Sequence, residues 1–138
     1  FAPEIFRLVI LKDPMKAKQL EKGLTQLSEE GTVQLFNKKT TNEKILGAVG
    51  VLQFEVVKFR LENEYSVVGD YQGHSYSGVR WLKFPGDKEK NEFISYYASN
   101  ILYDNKSRVC FGYKTDWDLK LAMDKNPTIK FFINSDYS

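Results

Sequence analysis

The order in which predicted strands and helices follow one another constrains the fold of this chain more than any other feature. Apolar spacing and turn residues predict a strand over residues 5–11, a helix from Asp13 to Gly31, strands over 32–36 and 44–49, a helix over 51–65 and a strand over 67–72. A polar, basic connection over 37–42 separates the two middle strands. The first half therefore has the order β-α-β-β-α-β.

The second half repeats this order after a connector over residues 73–78. The pattern predicts a strand over 79–84, a helix over 87–98 with Phe93, Tyr96 and Tyr97 on its apolar side, strands over 101–104 and 108–113, a helix over 115–124 and a strand over 129–133. We therefore predict an α+β fold. It consists of two ferredoxin-like (split β-α-β) sandwich halves, residues 1–72 and 73–138, packed together.

The helix over residues 51–65 is apolar on two sides. Two triads recur at helical spacing: Leu52, Val56 and Phe59, and Phe54, Val57 and Leu61. A helix with two apolar sides is normally buried on both of them. We expect the neighbouring half to cover the second side.

Composition and charge exclude several classes of protein. A formal net charge of +2 is too small to indicate nucleic-acid binding by itself. The single cysteine, Cys110, excludes an internal disulfide and a cysteine-rich zinc site, and we expect it to pack in a strand. No apolar run approaches the ~20 residues of a membrane helix. The chain starts Phe1-Ala2-Pro3, which we interpret as a segment of a longer, soluble polypeptide.

Motifs for catalysis are missing from the sequence. A nucleotide hydrolase needs a glycine-rich loop ending in Lys-Ser/Thr, and Gly47-Ala-Val-Gly50 lacks the lysine. We interpret this segment as a strand-to-helix turn with close packing, where Gly50→Val would destabilise the fold. His74 is the only histidine, so His-based metal sites and relays would depend on one loop residue. We predict no catalytic, cofactor-binding or metal-binding residue.

Basic side chains are the candidates for contact with a partner. The positions are Lys38, Lys39, Lys44, Lys58 and Arg60. Trp81, Phe111 and Tyr113 lie on predicted central strands, where aromatic rings either stack on bases or fill the core, and we favour the core.

Four segments resemble a known family. FAPEIF over residues 1–6, KQLEKGLTQLSEEG over 18–31, VQLF over 33–36 and GAVGVLQFEVV over 47–57 closely resemble the C-terminal domain of bacterial peptide chain release factor 3. The related elongation factor G has a Gly-x-Gly-Glu-Leu-His pattern at the turn where this chain has Leu52-Gln53-Phe54. The strong resemblance covers about residues 1–67 and is looser beyond them.

The resemblance implies the third, ribosome-docking domain of a cytoplasmic translational GTPase that helps class-I release factors leave the ribosome. The GTPase domain, with its GTP and magnesium, and a β-barrel domain would then lie outside this chain and be its partners. Ribosomal RNA and protein near the small-subunit decoding region are the implied external partners, and the segment itself is not an enzyme. The alternatives are a free-standing ferredoxin-like RNA- or ligand-binding module and a small phosphatase-like enzyme.

Overall fold

The computed structural model describes residues 1–136, and over that range it contains eight strands, four α-helices and two short 3-10 segments, at Pro14–Lys16 and Ala98–Asn100. The longer elements are β1 (Ile5–Leu11), α1 (Ala17–Glu29), β2 (Gln34–Lys38), β3 (Glu43–Ala48), α2 (Leu52–Tyr65), β4 (Gly69–Gly73), β5 (Gly78–Lys83), α3 (Asp87–Tyr96), β6 (Ile101–Asp104), β7 (Val109–Tyr113), α4 (Asp116–Lys125) and β8 (Lys130–Phe132).

This order confirms the predicted α+β, ferredoxin-like fold. The observed ends of the elements differ from the predicted ones by a few residues, and one of these differences affects the candidate cations. Asn37 and Lys38 extend β2 instead of opening a loop, because Asn37 pairs with Lys44 and Lys38 pairs with Glu43 across the β2–β3 hairpin. The basic connection is therefore shorter than the predicted 37–42.

Predicted helix caps account for two of the helix starts and one helix end. The Asp13 carboxylate accepts the Met15 N–H at 3.0 Å and, with Pro14, starts the turn that leads into α1. The Thr115 hydroxyl accepts the Asp118 N–H at 3.1 Å and starts α4. Gly31 follows α1 with φ of 83°, a left-handed conformation that favours glycine.

The eight strands form one antiparallel sheet in the order β4-β1-β3-β2-β6-β7-β5-β8. Strands of the first half run β4-β1-β3-β2, and those of the second half, read inward from its free edge, run β8-β5-β7-β6. The second strand of each half thus joins the other in an antiparallel pair, with Phe36 opposite Asp104 and Asn37 opposite Tyr103. The predicted boundary after residue 72 falls within β4, and the division of the chain into separate domains stays a prediction.

The sheet bends so that its helix-free face closes on itself. Neighbouring residues alternate between two cores: Leu35 and Leu46 pack under α1 and α2, whereas Phe36 and Ile45 point to the opposite face. In a flat sheet β2 and β5 would lie about 14 Å apart. The rings of Phe36 and Trp81, one on each of these strands, have centroids only 5.8 Å apart. The two halves therefore share an aromatic core.

The predicted burial of α2 on two sides is wrong. Phe54, Val57 and Leu61 are buried against the sheet and α1, but the other triad is exposed. The reason is topological. The second half joins at β2, whereas α2 packs toward β4 at the far edge of the first half, with β1 and β3 between them.

Close packing at the strand-to-helix turn lies at Gly47 and not at Gly50. A Cβ on Gly47 would lie 2.7 Å from the Pro3 Cβ and 3.2 Å from the rings of Phe6 and Phe36. A Cβ on Gly50 would meet only the end of the flexible Gln53 side chain, at 3.1 Å.

We therefore expect Gly47→Val to lower the free energy of unfolding by about 1–3 kcal/mol. The matched variant Gly50→Val should cost less than about 1 kcal/mol, because a flexible side chain can move aside. Urea denaturation of both variants measures the difference. Equal decreases at the two positions would contradict this assignment.

Asp104 stabilises the seam between the halves, which is the place where β2 pairs with β6. It is the one charged residue that is buried among residues 1–136, with 5% of its surface exposed. Its Oδ2 accepts the Trp81 indole N–H at 2.9 Å and the Arg108 Nε–H at 2.7 Å. Its Oδ1 accepts the backbone N–H groups of Lys106 at 3.0 Å and of Arg108 at 2.9 Å. One carboxylate thus joins β5, the end of β6 and the β6–β7 turn.

Asp104→Asn should lower the free energy of unfolding by about 2–4 kcal/mol, since an amide cannot pair the buried indole and guanidinium groups as a carboxylate does. The exposed Asp124→Asn serves as the matched control and should change stability by less than about 0.5 kcal/mol. Chemical denaturation compares them. A decrease at Asp104 no greater than at Asp124 would show that the seam does not depend on this carboxylate.

Candidate functional site

Arg60, one of the five candidate cations, forms ion pairs within the protein. From α2 its guanidinium bonds both Glu64, one turn further along the helix, and Glu30, at the end of α1. These hydrogen bonds lower the pKa of the Glu30 and Glu64 carboxyls and raise the pKa of Arg60. Arg60 thus links the two helices of the first half.

Two of the predicted lysines are also paired. Lys44 donates to the Asn37 amide oxygen at 2.6 Å and lies 3.8 Å from a Glu21 carboxylate oxygen on α1. Lys58 lies 3.5 Å from Asp70 on β4. Lys58 lies on α2, away from the β2–β3 hairpin, and Lys44, although next to the hairpin end, points toward α1, so the five predicted cations do not form one patch. Their contact with a partner stays a prediction.

Lys38 and Lys39 differ from these three, since neither makes an ion pair with any acid of residues 1–136. The Lys39 ammonium lies 4.0 Å from the centroid of the Tyr103 ring on the neighbouring strand β6. Lys38, at the end of β2, faces a cleft between the two halves.

This cleft, which we call the basic cleft, has a volume of about 440 Å³. The first half and the connector contribute one wall and α3, α4 and their flanking turns contribute the other. Its lining consists of Lys38, His74, Ser75, Tyr76, Tyr96, Tyr97, Ser99, Asn100, Phe111, Lys114, Asp118, Leu121, Ala122 and Lys125. The lining therefore contains three lysines, Lys38, Lys114 and Lys125, but only one carboxylate, that of Asp118. Within the described chain none of the three lysines is in an ion pair. The cleft has the charge of an anion-binding surface.

The connector between the halves forms the inner wall of the basic cleft and is held on both sides. The His74 N–H donates to the Phe6 carbonyl at 3.4 Å, and the Ser77 N–H donates to the Tyr113 carbonyl at 2.8 Å. Between them the buried Tyr76 hydroxyl donates to the Ser99 carbonyl at 3.0 Å. The predicted connector 73–78 is therefore an ordered strap whose ends already belong to β4 and β5.

The pKa of His74 is lowered from its ordinary value of 6.5. Partial burial is the main cause, and the positive charges of Lys38 and Lys114 act in the same direction, while Glu43 opposes them. The ring packs on Tyr76, with centroids 4.2 Å apart, and its Nδ1 accepts the Tyr76 N–H at 3.4 Å. Because folding lowers this pKa, the contribution of His74 to stability declines as the pH falls from 6.5 through the folded-state pKa.

Aromatic residues divide between the core and the rim of the cleft. Trp81, Phe111 and Tyr113 are buried, which confirms that they belong to the core. Tyr96 was expected on the apolar side of α3, but 74% of its surface is exposed, so that expectation is wrong. A ring exposed beside unpaired lysines can stack on a nucleic-acid base.

No pattern along the chain marks Lys114, Lys125 or Tyr96 as members of one site. They lie in the β7–α4 turn, at the end of α4 and at the end of α3. Only the joining of β2 to β6 brings these three places opposite Lys38. Spacing along the chain cannot indicate such a cluster.

Among residues 1–136 no group of three or more His, Cys, Asp or Glu side chains is arranged to hold a metal ion. Over the same range no helix combines the length and apolar character needed to cross a membrane. Cys110 is buried on β7, where burial raises the pKa of its thiol, as expected for a core residue.

A titration of the single histidine tests the electrostatics of the cleft. We expect an NMR pKa for His74 below 6.5, and Lys38→Gln or Lys114→Gln should raise it by removing a nearby positive charge. Lys58→Gln, remote from the cleft and paired with Asp70, is the control and should leave it unchanged. A pKa that responds equally to all three substitutions would contradict the placement of His74 between Lys38 and Lys114.

Comparison with known families agrees with the resemblance of the four segments. A family model for class II release factor RF3, C-terminal domain, matches residues 1–123. That range includes both ferredoxin-like halves up to α4, with Lys38, His74, Lys114 and the connector. The chain therefore belongs to the family of class II release factor RF3 C-terminal domains, which are non-catalytic domains of a translation-termination factor with a ribosome-related partner.

Proposed function

We propose that this chain docks release factor 3 on the ribosome and thereby promotes the dissociation of class-I release factors after peptide release. Family membership supports the role in termination, and the unpaired lysines of the basic cleft support contact with RNA. In this proposal the cleft faces ribosomal RNA and ribosomal protein near the decoding region of the small subunit. The site of action is the cytoplasm.

The GTP-dependent step belongs to other parts of the factor in this proposal. A GTPase domain that holds GTP and magnesium, and a β-barrel domain, are the partners within the same polypeptide. The chain described here transmits their movement to the ribosome as a rigid unit. The shared aromatic core and the Asp104 network between its halves support such rigidity.

The observation that carries the RNA contact is the convergence of Lys38, Lys114 and Lys125 on one cleft without carboxylate partners. Cations already paired with acids offer little to a phosphate, because binding would first have to break an ion pair. Lys58 and Arg60 are paired in this way, whereas the cleft lysines are free of ion pairs with the described residues. Phosphate groups of an RNA backbone fit that arrangement.

Ribosome binding at several salt concentrations tests this proposal. Lys38→Gln with Lys114→Gln should weaken binding and lower the slope of log affinity against log salt by ~0.7–0.9 for each phosphate that is no longer neutralised.

Lys38→Glu with Lys39→Glu in the full-length factor should slow release-factor recycling and leave intrinsic GTP hydrolysis intact.

The matched control removes two exposed lysines from α1, with Lys18→Gln and Lys22→Gln. It changes the net charge equally, so a general electrostatic effect would appear in both double variants. Equal slopes for the two double variants would overturn the assignment of RNA contact to the basic cleft.

A further inference from the structure

Helix α2 carries an apolar stripe that no described part of the chain covers. The stripe consists of Val51, Leu52, Val56 and Phe59, whose exposed fractions are 58%, 71%, 40% and 67%. Leu52, Val56 and Phe59 follow the spacing i, i+4, i+7 and therefore lie on one face, over about 10 Å of the helix axis. Isolated exposed apolar residues are ordinary, but an aligned set on one helix face is typical of a docking surface.

The stripe is not needed for the fold. The buried side of α2, with Phe54, Val57 and Leu61, already packs on α1 and the sheet, and Arg60 ties the helix to Glu30. The exposed positions Leu52 and Phe59 contribute little to that core, so packing within the described residues does not account for their apolar character.

Charges around the stripe indicate what kind of partner fits. Glu55 and Glu62 lie along one border, exposed and without an ion pair among residues 1–136. On the other border Arg60 is held between Glu30 and Glu64, so that cluster keeps an excess of negative charge. Both borders of the stripe are therefore acidic.

We propose that the apolar stripe of α2 docks a basic, amphipathic protein segment, whose apolar side chains cover Leu52, Val56 and Phe59 and whose lysines or arginines pair with Glu55 and Glu62. An acidic border repels RNA phosphates and anionic lipid headgroups, which makes a protein segment the better occupant. This surface is separate from the basic cleft and opposite to it in charge. The proposal does not depend on the RNA contact proposed above.

Peptide binding tests the proposal on the 138-residue chain. The probe is a labelled helical peptide of about 18 residues with leucines at i, i+3, i+4 and i+7 and lysines on both borders of the leucine face. The comparison peptide has glutamates in place of the lysines. We expect saturable fluorescence anisotropy with the lysine peptide, weakened by salt, and much weaker binding of the glutamate peptide.

Variants locate the binding surface. Phe59→Ser and Leu52→Ser should each weaken binding of the lysine peptide by about tenfold. Glu55→Gln with Glu62→Gln should weaken it several-fold and reduce its salt dependence. Trp117→Ser is the matched control: it removes a side chain that is 66% exposed, on α4 of the second half, and should leave binding unchanged. Because all these positions are exposed, the denaturation midpoints of the variants should stay close to that of the parent chain.

Three results would overturn the proposal. One is the absence of saturable binding up to about 1 mM peptide, and another is equal binding of the two peptides or of Phe59→Ser and the parent chain. The third is concentration-dependent dimerisation that Phe59→Ser abolishes in sedimentation equilibrium, which would assign the stripe to a second copy. Lys38→Gln with Lys114→Gln should leave peptide binding intact, so failure of the RNA contact and failure of this docking surface are distinguishable.

Discussion

The structure depends on how a buried carboxylate is satisfied at the seam between the two halves. Asp104 ends β6 opposite Phe36 of β2, and its four hydrogen bonds bind the indole of Trp81, the guanidinium of Arg108 and the β6–β7 turn to one point. A buried charge without such partners would cost several kcal/mol. The geometry of the seam is therefore narrowly specified, and with it the bend that brings Trp81 onto Phe36.

Both candidate surfaces follow from that seam. Joining the halves through β2 and β6 places the end of β2, with Lys38, opposite α3 and α4, and the connector at His74 closes the inner wall of the basic cleft. The same joining leaves α2 at the far edge, where its apolar stripe meets no other described element. One surface is rich in unpaired lysines and the other has acidic borders, so they suit partners of different chemistry.

Much of the fold could be predicted from the sequence, because helix caps and apolar periodicity are local signals. Asp13 and Thr115 mark helix starts, and Gly31 follows a helix end, as the pattern indicated. The candidate site could be predicted only in part. Lys38 was among the five cations named, but Arg60 and Lys58 proved to be paired, since a carboxylate from another element reaches each of them. The prediction that α2 is buried on both sides was wrong, because periodicity indicates which positions are apolar and not which elements cover them.

Signals along the chain were enough to establish the order of elements, the ferredoxin-like halves, the core role of Trp81 and Phe111, and the resemblance to the release factor 3 family. Each of these depends on neighbouring residues or on motifs of a few residues. Three other properties emerged only from the folded chain: which strands join the halves, which lysines remain unpaired and which face of α2 stays exposed. They arise between residues far apart in the chain, because burial and ion pairing depend on distance in space and not on spacing in sequence.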